Sequence, residues 1–476
     1  MAKILLITPD SKTFYGNPRY PAAGISMIGA VLLKSGHQVH GLDMRFSDVS
    51  DEILVQKIND FQPEIIGFSV TNWDVIEAVR LAGKIKSMLP EAYVIFGGPQ
   101  VTLCPEETLR YSEIDFLVLG EGEITIIELI TCLENERSIS EIKGIAFRNE
   151  DSNPVVTDRR PLIRDLSQLP LPAYELFDPP SYRAADELRL GIMSSRGCPY
   201  QCIFCTGRKV MGCQMRRRPP IDVVSEMAHW HKKFGITHFC FIEDNWLAHR
   251  KHAMELLDGL EKAQLSITYS LEVGVRGDAL SKDICERLKK TGCTIVAIGI
   301  ESVDPEVLEL SKKGETIEEI TRGIRAAKSA GLFVKGYFIV GLPGDTKSKV
   351  EKAVTYARNE KIDMPRFALA QAFPYTELAE WVKINGKFYH EPYEYVLYHT
   401  DERHGDVHYD FPGFPKEEIW ETYSWAHEQA EAISFQRALN RRFGDRLGNL
   451  LNIFNNKLSR SIAIWGYQKK LISLPK

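Results

Sequence analysis

Residues 194–208 read SSRGCPYQCIFCTGR, and the three cysteines in them decide the chain. Cys198, Cys202 and Cys205 follow a C-x3-C-x2-C spacing, so three thiols can converge on one metal cluster. Iron–sulfur clusters are held by cysteine thiolates, and a cubane commonly takes four. Three protein ligands leave one iron open to bind a small molecule and act on it. A structural zinc site asks for a fourth Cys or His at matching spacing. Cys213 is the nearest, but no second C-x2-C follows it. A disulfide framework fits poorly with nine cysteines, an odd number, in 476 residues. Cys104, Cys132, Cys240, Cys285 and Cys293 lie in apolar stretches and read as small core residues.

Strand-like and helix-like runs alternate on both sides of this motif. Downstream, strands are expected at 190–197, 238–245, 267–274, 294–302, 333–341 and 366–373. Six such strand–helix units predict a parallel sheet whose chemistry gathers at the C-terminal strand ends. Those ends carry Glu243 and Asp244, then Glu272 and Arg276, then Glu301 and Ser302, and then Gly341 in VGLPGDT. Lys313, in LSKKGET, reads as a solvated lysine.

Upstream, residues 1–145 alternate strands at 3–8, 38–43, 65–70, 93–98 and 116–123 with amphipathic segments. This predicts a doubly wound sheet, and such sheets bind ligands beyond the carboxyl ends of their strands. The loops there hold Ser69, Thr71 and Asn72, then Gly97, Gly98 and Pro99, then Gly120, Glu121 and Gly122. Glycines at strand ends let backbone approach a bulky ligand closely. A plain turn at Gly97-Gly98-Pro99 is the competing reading. Residues 146–190 form a Pro-rich, charged linker containing a small hairpin.

Residues 376–476 leave the barrel pattern. Residues 387–412 hold His390, His399, His404 and His408 at irregular spacing, which reads as a covering loop rather than a metal site. From Lys416 onward the pattern is helical and becomes basic. A basic amphipathic stretch can lie on a membrane surface, but packing on its own domain is the commoner use. A net charge of −5 does not mark a nucleic-acid binder. No run of about twenty apolar residues predicts a spanning helix. The start, MAKILLITPD, reads as a first strand, not a signal peptide, so a reduced cytoplasm is expected.

The cysteine loop, with Phe204 just before the last cysteine, resembles that of the radical S-adenosylmethionine (SAM) enzymes. The resemblance implies a [4Fe-4S] cluster on Cys198, Cys202 and Cys205, and SAM chelated at the open iron. It gives the SAM amino group to Glu243 or Asp244, the SAM carboxylate to Arg276 beside Glu272, and the ribose or methionine part to Glu301 and Ser302. The VGLPGDT turn at Gly341 would pass beside the adenine. QAFPYTEL, with Tyr375 where that family has Gly, borders the substrate cavity. The fold implied is a partial (β/α)6 barrel.

Residues 1–145 are similar to the cobalamin-binding domain fused in front of many such enzymes. The loops from Ser69 to Gly122 would then meet the corrin. No D-x-H-x-x-G motif occurs, and His37 lies in a helix-to-strand turn. The resemblance therefore implies a base-off cobalamin whose lower face meets Ser69–Trp73. Together the two likenesses imply a class B methyltransferase-like enzyme, which methylates an unactivated carbon through methylcobalamin and a 5′-deoxyadenosyl radical. A cyclase, ring-contraction or carbon–carbon-coupling enzyme with the same cofactors is the alternative. A corrinoid- or SAM-binding sensor without turnover is the second. Expected partners are a small-molecule, lipid or tetrapyrrole substrate and an external flavodoxin- or ferredoxin-like electron donor.

Overall fold

The computed structural model describes residues 1–10, 20–46, 48–184, 187–390, 393, 407–452 and 460. The first of two seven-stranded sheets contains β1 (Lys3–Thr8), β2 (Gln38–Asp43), β3 (Ile65–Ser69), β4 (Tyr93–Gly97), β5 (Phe116–Val118), β6 (Ile145–Arg148) and β7 (Pro154–Val156). Their order is β2-β1-β3-β4-β5-β6-β7, with β1 to β5 parallel. Successive residues of β1 feed opposite faces. Leu5 and Ile7 pack with helices 51–61 and 75–88. Ile4 and Leu6 pack with helices 23–34 and 122–134. A parallel strand buried on both sides is apolar throughout, hence KILLIT.

Two details of this first sheet differ from the sequence expectation, and in the second sheet the strands expected at 190–197, 238–245 and 366–373 span Glu187–Ile192, His238–Phe241 and Met364–Leu369. The FLVLGEGE run leaves the strand at Val118, because Gly120 turns the chain at φ 71° and a helix begins at Gly122. The hairpin expected inside the linker pairs antiparallel onto β5, so the first sheet runs on to Val156.

The second sheet contains β8 (Arg183–Ala184), β9 (Glu187–Ile192), β12 (His238–Phe241), β13 (Thr268–Val275), β14 (Cys293–Glu301), β15 (Phe333–Val340) and β16 (Met364–Leu369). Its order is β16-β15-β14-β13-β12-β9-β8, and β9 to β16 pair in parallel. Between β9 and β12, β10 (Ser195–Arg196) and β11 (Arg216–Arg217) form a separate antiparallel ribbon. Phe239, Phe241, Leu271, Ile298, Val334 and Phe338 face the helices and form the core. The alternate residues are polar: His238 meets Thr268 at 2.7 Å and Ser270 at 3.0 Å, and Lys335 pairs with Glu272. This alternation makes the inner face of the sheet a polar lumen.

Helix Lys416–Leu451 packs on β16 and on helix 347–359, with a break at Gly444 (φ 79°). His399, His404 and, of the basic tail, residues 453–459 and 461–476 lie outside the described residues. Among the described residues no helix is long and apolar enough to cross a membrane.

Candidate active site

The cysteine loop leaves the C-terminal end of β9 and is fixed by backbone contacts. Gly197 (φ 92°) lies so close to the Gln214 carbonyl that no Cβ fits. Cys198 N donates to Gly212 O at 3.1 Å, and Gly207 N donates to the Cys205 sulfur at 3.3 Å. Ile203 is buried and pins the middle of the loop. Its N–H donates to Ser311 O at 3.1 Å, and its carbonyl accepts from Leu378 N at 3.0 Å. Burial pushes all three thiols up, Cys202 to about 11, and each lies within electrostatic reach of the others. Metal binding must therefore displace protons.

Three thiols on one short loop are the donor set of an iron–sulfur cluster. Among the described residues, a trio of ligand atoms within 4.8 Å of one another is found at His238, Cys240 and Glu272. Glu272 there already pairs with Lys335, with Arg189 3.8 Å away, so cations fill the place of a metal ion.

The strand ends around the loop sort the expected SAM residues. Glu243 is buried, and its Oε1 accepts hydrogen bonds from Ser194 N and Ser194 Oγ. Its burial raises the carboxyl to about 7. Asp244 is exposed and faces the loop: a Cβ on Gly207 would stand 3.3 Å from the Cys205 sulfur and 3.6 Å from Asp244 Oδ1. Glu272 lies in the lumen. Arg276 donates to Lys313 O at 2.6 Å, to Gly314 O at 2.5 Å and to Asp278, while its guanidinium stacks 3.9 Å from the Tyr200 ring centroid. It thus ties the 313–314 turn to the cysteine loop.

Glu301 ends β14 in the left-handed region (φ 62°), after a register shift at Gly299. A bulge of this kind re-aims a side chain. Ser302 Oγ accepts from Asp304 N at 3.2 Å. Gly341 N donates to Asp345 Oδ2 at 3.0 Å, and Gly341 O accepts from Tyr409 Oη at 2.7 Å.

Lys313 is the clearest departure from the sequence reading. It is buried, not solvated, with Nζ 3.2 Å from Glu301 and 3.4 Å from Glu315. Burial alone would pull its ammonium down; the two carboxylates outweigh burial and hold it above the ordinary lysine value. Its charge also acts on the Cys202 thiol. A lysine after Leu-Ser-Lys carries no periodic signal, so only the fold brings it here.

At the first sheet, Gly98 (φ 106°) runs against β3, where a Cβ would meet Val70 O at 2.7 Å. Gly97 is half-buried and Pro99 exposed. The Ser69–Trp73 loop is fastened by Asp74, which accepts from Thr71 N at 2.6 Å and from Thr71 Oγ1 at 2.9 Å, leaving Asn72 half-buried at the tip. Gly120 has open space where a Cβ would be. Glycine backbone beside open space at strand ends suits a broad, flat ligand. His37 is far from this edge: it is buried at the start of β2 and accepts from Ala2 N at 3.2 Å.

The two sets of strand ends face each other. Arg159 donates to Thr102 O, beyond β4, and to Lys209 O, in the helix that follows the cysteine loop. Glu121 turns toward the barrel, where Arg196 and Arg216 meet it at 2.8 and 2.7 Å.

This two-part geometry has known counterparts. Residues 192–357 match the radical SAM superfamily and residues 17–130 the B12 binding domain. An uncharacterized methyltransferase of Pyrococcus horikoshii is 31% identical over 80% of this chain and 83% of its own length. The cytidylyl-2-hydroxyethylphosphonate methyltransferase of Streptomyces wedmorensis is 27% identical over 79% of this chain and 80% of its own. In fold, the chain superposes on the radical S-adenosylmethionine methyltransferase TsrM of Kitasatospora setae, solved with tryptophan and a SAM analog. The TM-score is 0.72 at 20% identity, covering 89% of each chain. With both family matches and a relative alike over most of its length, the chain belongs to the cobalamin-dependent radical SAM enzymes.

Proposed function

We propose that the protein methylates an unactivated carbon of a small molecule. Residues 191–375 would hold a [4Fe-4S] cluster and SAM, and residues 1–145 would hold cobalamin. The apposition of the two sets of strand ends carries this reading, because it would set the two cofactors on either side of a substrate held between them. When bound, the cluster and SAM supply a 5′-deoxyadenosyl radical and the corrinoid supplies the methyl group, chemistry outside the reach of side chains.

The chain's own residues bind and orient. Cys198, Cys202 and Cys205 would hold three irons. Asp244, the acid that faces them, would take the SAM ammonium, and Lys313, whose charge acts on Cys202, its carboxylate. Arg276 holds the turn that presents Lys313. Glu301, Ser302 and Gly341 line the neighbouring strand ends. Backbone at Gly97–Pro99 and Gly120–Gly122 would lie against the corrin, with Ser69, Thr71 and Asn72 at its lower face.

The substrate class extends to lipids and tetrapyrroles. Electrons would come from a flavodoxin- or ferredoxin-like donor in a reduced cytoplasm, which suits an oxygen-labile cluster. In the C-terminal helix, Arg437 and Arg441 point inward to Asp363, which favours packing on the barrel over membrane contact.

The test is anaerobic reconstitution with iron, sulfide and hydroxocobalamin, followed by incubation with SAM, reductant and candidate substrates. Retained corrin bands, 5′-deoxyadenosine lost in Cys202→Ala, and S-adenosylhomocysteine formed together with a methylated product support methylation. A product without an added methyl group, and no S-adenosylhomocysteine, replaces it with cyclisation or coupling.

A further inference from the structure

A four-charge cluster lies between the two cofactor ends, and neither cofactor chemistry uses it. Glu121 comes from the loop after β5 and Glu123 from the first turn of the helix that follows it, and Arg196 and Arg216 come from the β10–β11 ribbon beside the cysteine loop. All four side chains are at most 8% exposed. Arg196 donates to Glu121 Oε1 at 2.8 Å and to Glu123 Oε1 at 2.6 Å. Arg216 donates to both Glu121 oxygens at 2.7 Å, and also to Ile163 O and Met211 O. Ile163 N donates to Glu121 Oε2 at 2.7 Å. Glu121 is thus saturated by protein groups.

Burying two ion pairs gains little stability over apolar packing, so their retention asks for another use. Their positions supply one. Arg196 stands two residues before Cys198, and Glu121 lies between Gly120 and Gly122 of the corrin-side loop. We infer that this cluster is a latch that sets the spacing between the iron–sulfur and corrin sites, with Glu121 and Arg216 as positioning residues. The inference rests on the reading that both cofactors bind. Transfer to a carbon held between two cofactors fails when their separation drifts by even an ångström or so, and a carboxylate gripped by two guanidinium groups, one of them also anchored to the Ile163 and Met211 carbonyls, resists that drift as a single contact does not.

The test uses the full chain with two variants, Glu121→Gln and the charge-balanced Glu121→Gln/Arg216→Gln. The second leaves Arg196 paired with Glu123, which separates loss of the joint from the cost of an unpaired charge. The first readout is hydrogen exchange of the metal-free protein in peptides covering 119–125 and 194–217. Both regions are expected to exchange at least tenfold faster together in each variant, with helix 250–263 unchanged. The second readout is the distance distribution between cob(II)alamin and the reduced cluster by pulsed electron paramagnetic resonance, which reads only molecules that hold both centres and is expected to broaden in both variants. Unchanged exchange in the double variant, or an unchanged distance distribution, overturns the latch. If the wild-type protein retains no corrin, the cofactor reading falls, and uncoupled exchange of the two loops then decides against the latch on its own.

Discussion

The ammonium of Lys313 stands 3.2 Å from Oε1 of Glu301 and closes the end of β14 beside Cys202. Glu315 completes the group from 3.4 Å, and its side chain is fully buried. Removing one partner of a buried pair strands the rest in low dielectric, at a cost of about 3–5 kcal/mol. Lys313→Met takes the cation from Glu301 and leaves Glu315 with Arg276 at 3.7 Å and the Asp278 amide, whereas Glu301→Gln leaves the lysine with Glu315. The expected order of stability in urea unfolding of the metal-free protein is wild type, then Glu301→Gln, then Lys313→Met. Equal stability of Lys313→Met and wild type would show that the lysine is solvated after all.

Glu243 gives the protein a stability that falls as pH rises. Burial lifts its carboxyl from 4.5 to about 7 in the folded chain. Between those values the folded state binds the proton that the unfolded state has lost. Stability is therefore full below about pH 4.5 and declines toward pH 7, by about 3 kcal/mol from this group. Glu243→Gln keeps an oxygen for Ser194 and has no proton to lose. Its unfolding free energy is expected to change less between pH 5 and pH 8 than that of wild type. Parallel pH profiles for the two proteins would sink the assignment.

Most strands could be read from the chain because their patterns are local. KILLIT has to lie between two helical layers, and HFCF and YSLE alternate apolar with polar because one face meets helices and the other a lumen. The cysteine loop was equally plain, since its three ligands sit within one turn of chain. What escaped depends on partners far apart in sequence. Glu121 meets Arg216 across 95 positions and Arg276 meets Lys313 across 37, and no local period encodes either. Lys313 was misread for that reason: a lysine between glycine and charge looks solvated until Glu301 is folded against it.

Asp363 anchors the C-terminal helix. Its carboxylate is fully buried between Lys328 at 3.0 Å, Arg437 at 3.4 Å and Arg441 at 3.1 Å, and it accepts from Val334 N at 3.0 Å. Burial would raise its pKa, but Lys328, the Val334 amide and Arg441 outweigh burial and hold it below the ordinary aspartate value. The stability it lends is therefore present above about pH 4 and is lost as pH falls through the depressed value. Asp363→Ala leaves three cations facing one another and is expected to cost about 3–5 kcal/mol. Limited trypsin digestion should then cut helix 416–451 while the first sheet stays intact. Uniform digestion along the chain would mean that the aspartate serves the whole barrel instead.

Tyr375 carries a strained backbone at the border of the two parts. It sits at φ 62°, its ring is 55% exposed, and its hydroxyl donates to Glu107 Oε1 at 3.3 Å. A bulky residue in the left-handed region costs about 1–2 kcal/mol, and a hydrogen bond returns about 0.5–1.5 kcal/mol. The two terms nearly cancel, so three substitutions separate them. Tyr375→Gly loses the bond and the ring contacts but also the strain, and should be more stable than Tyr375→Ala by about 1–2 kcal/mol. Tyr375→Phe loses only the bond and should be less stable by about 1 kcal/mol. Tyr375→Ala loses the bond and the ring contacts but keeps the strain, and should be the least stable of the three. Urea midpoints give the order directly. If glycine proves as damaging as alanine, the backbone at 375 is not strained, and Tyr375 joins the two parts of the molecule through its contacts alone.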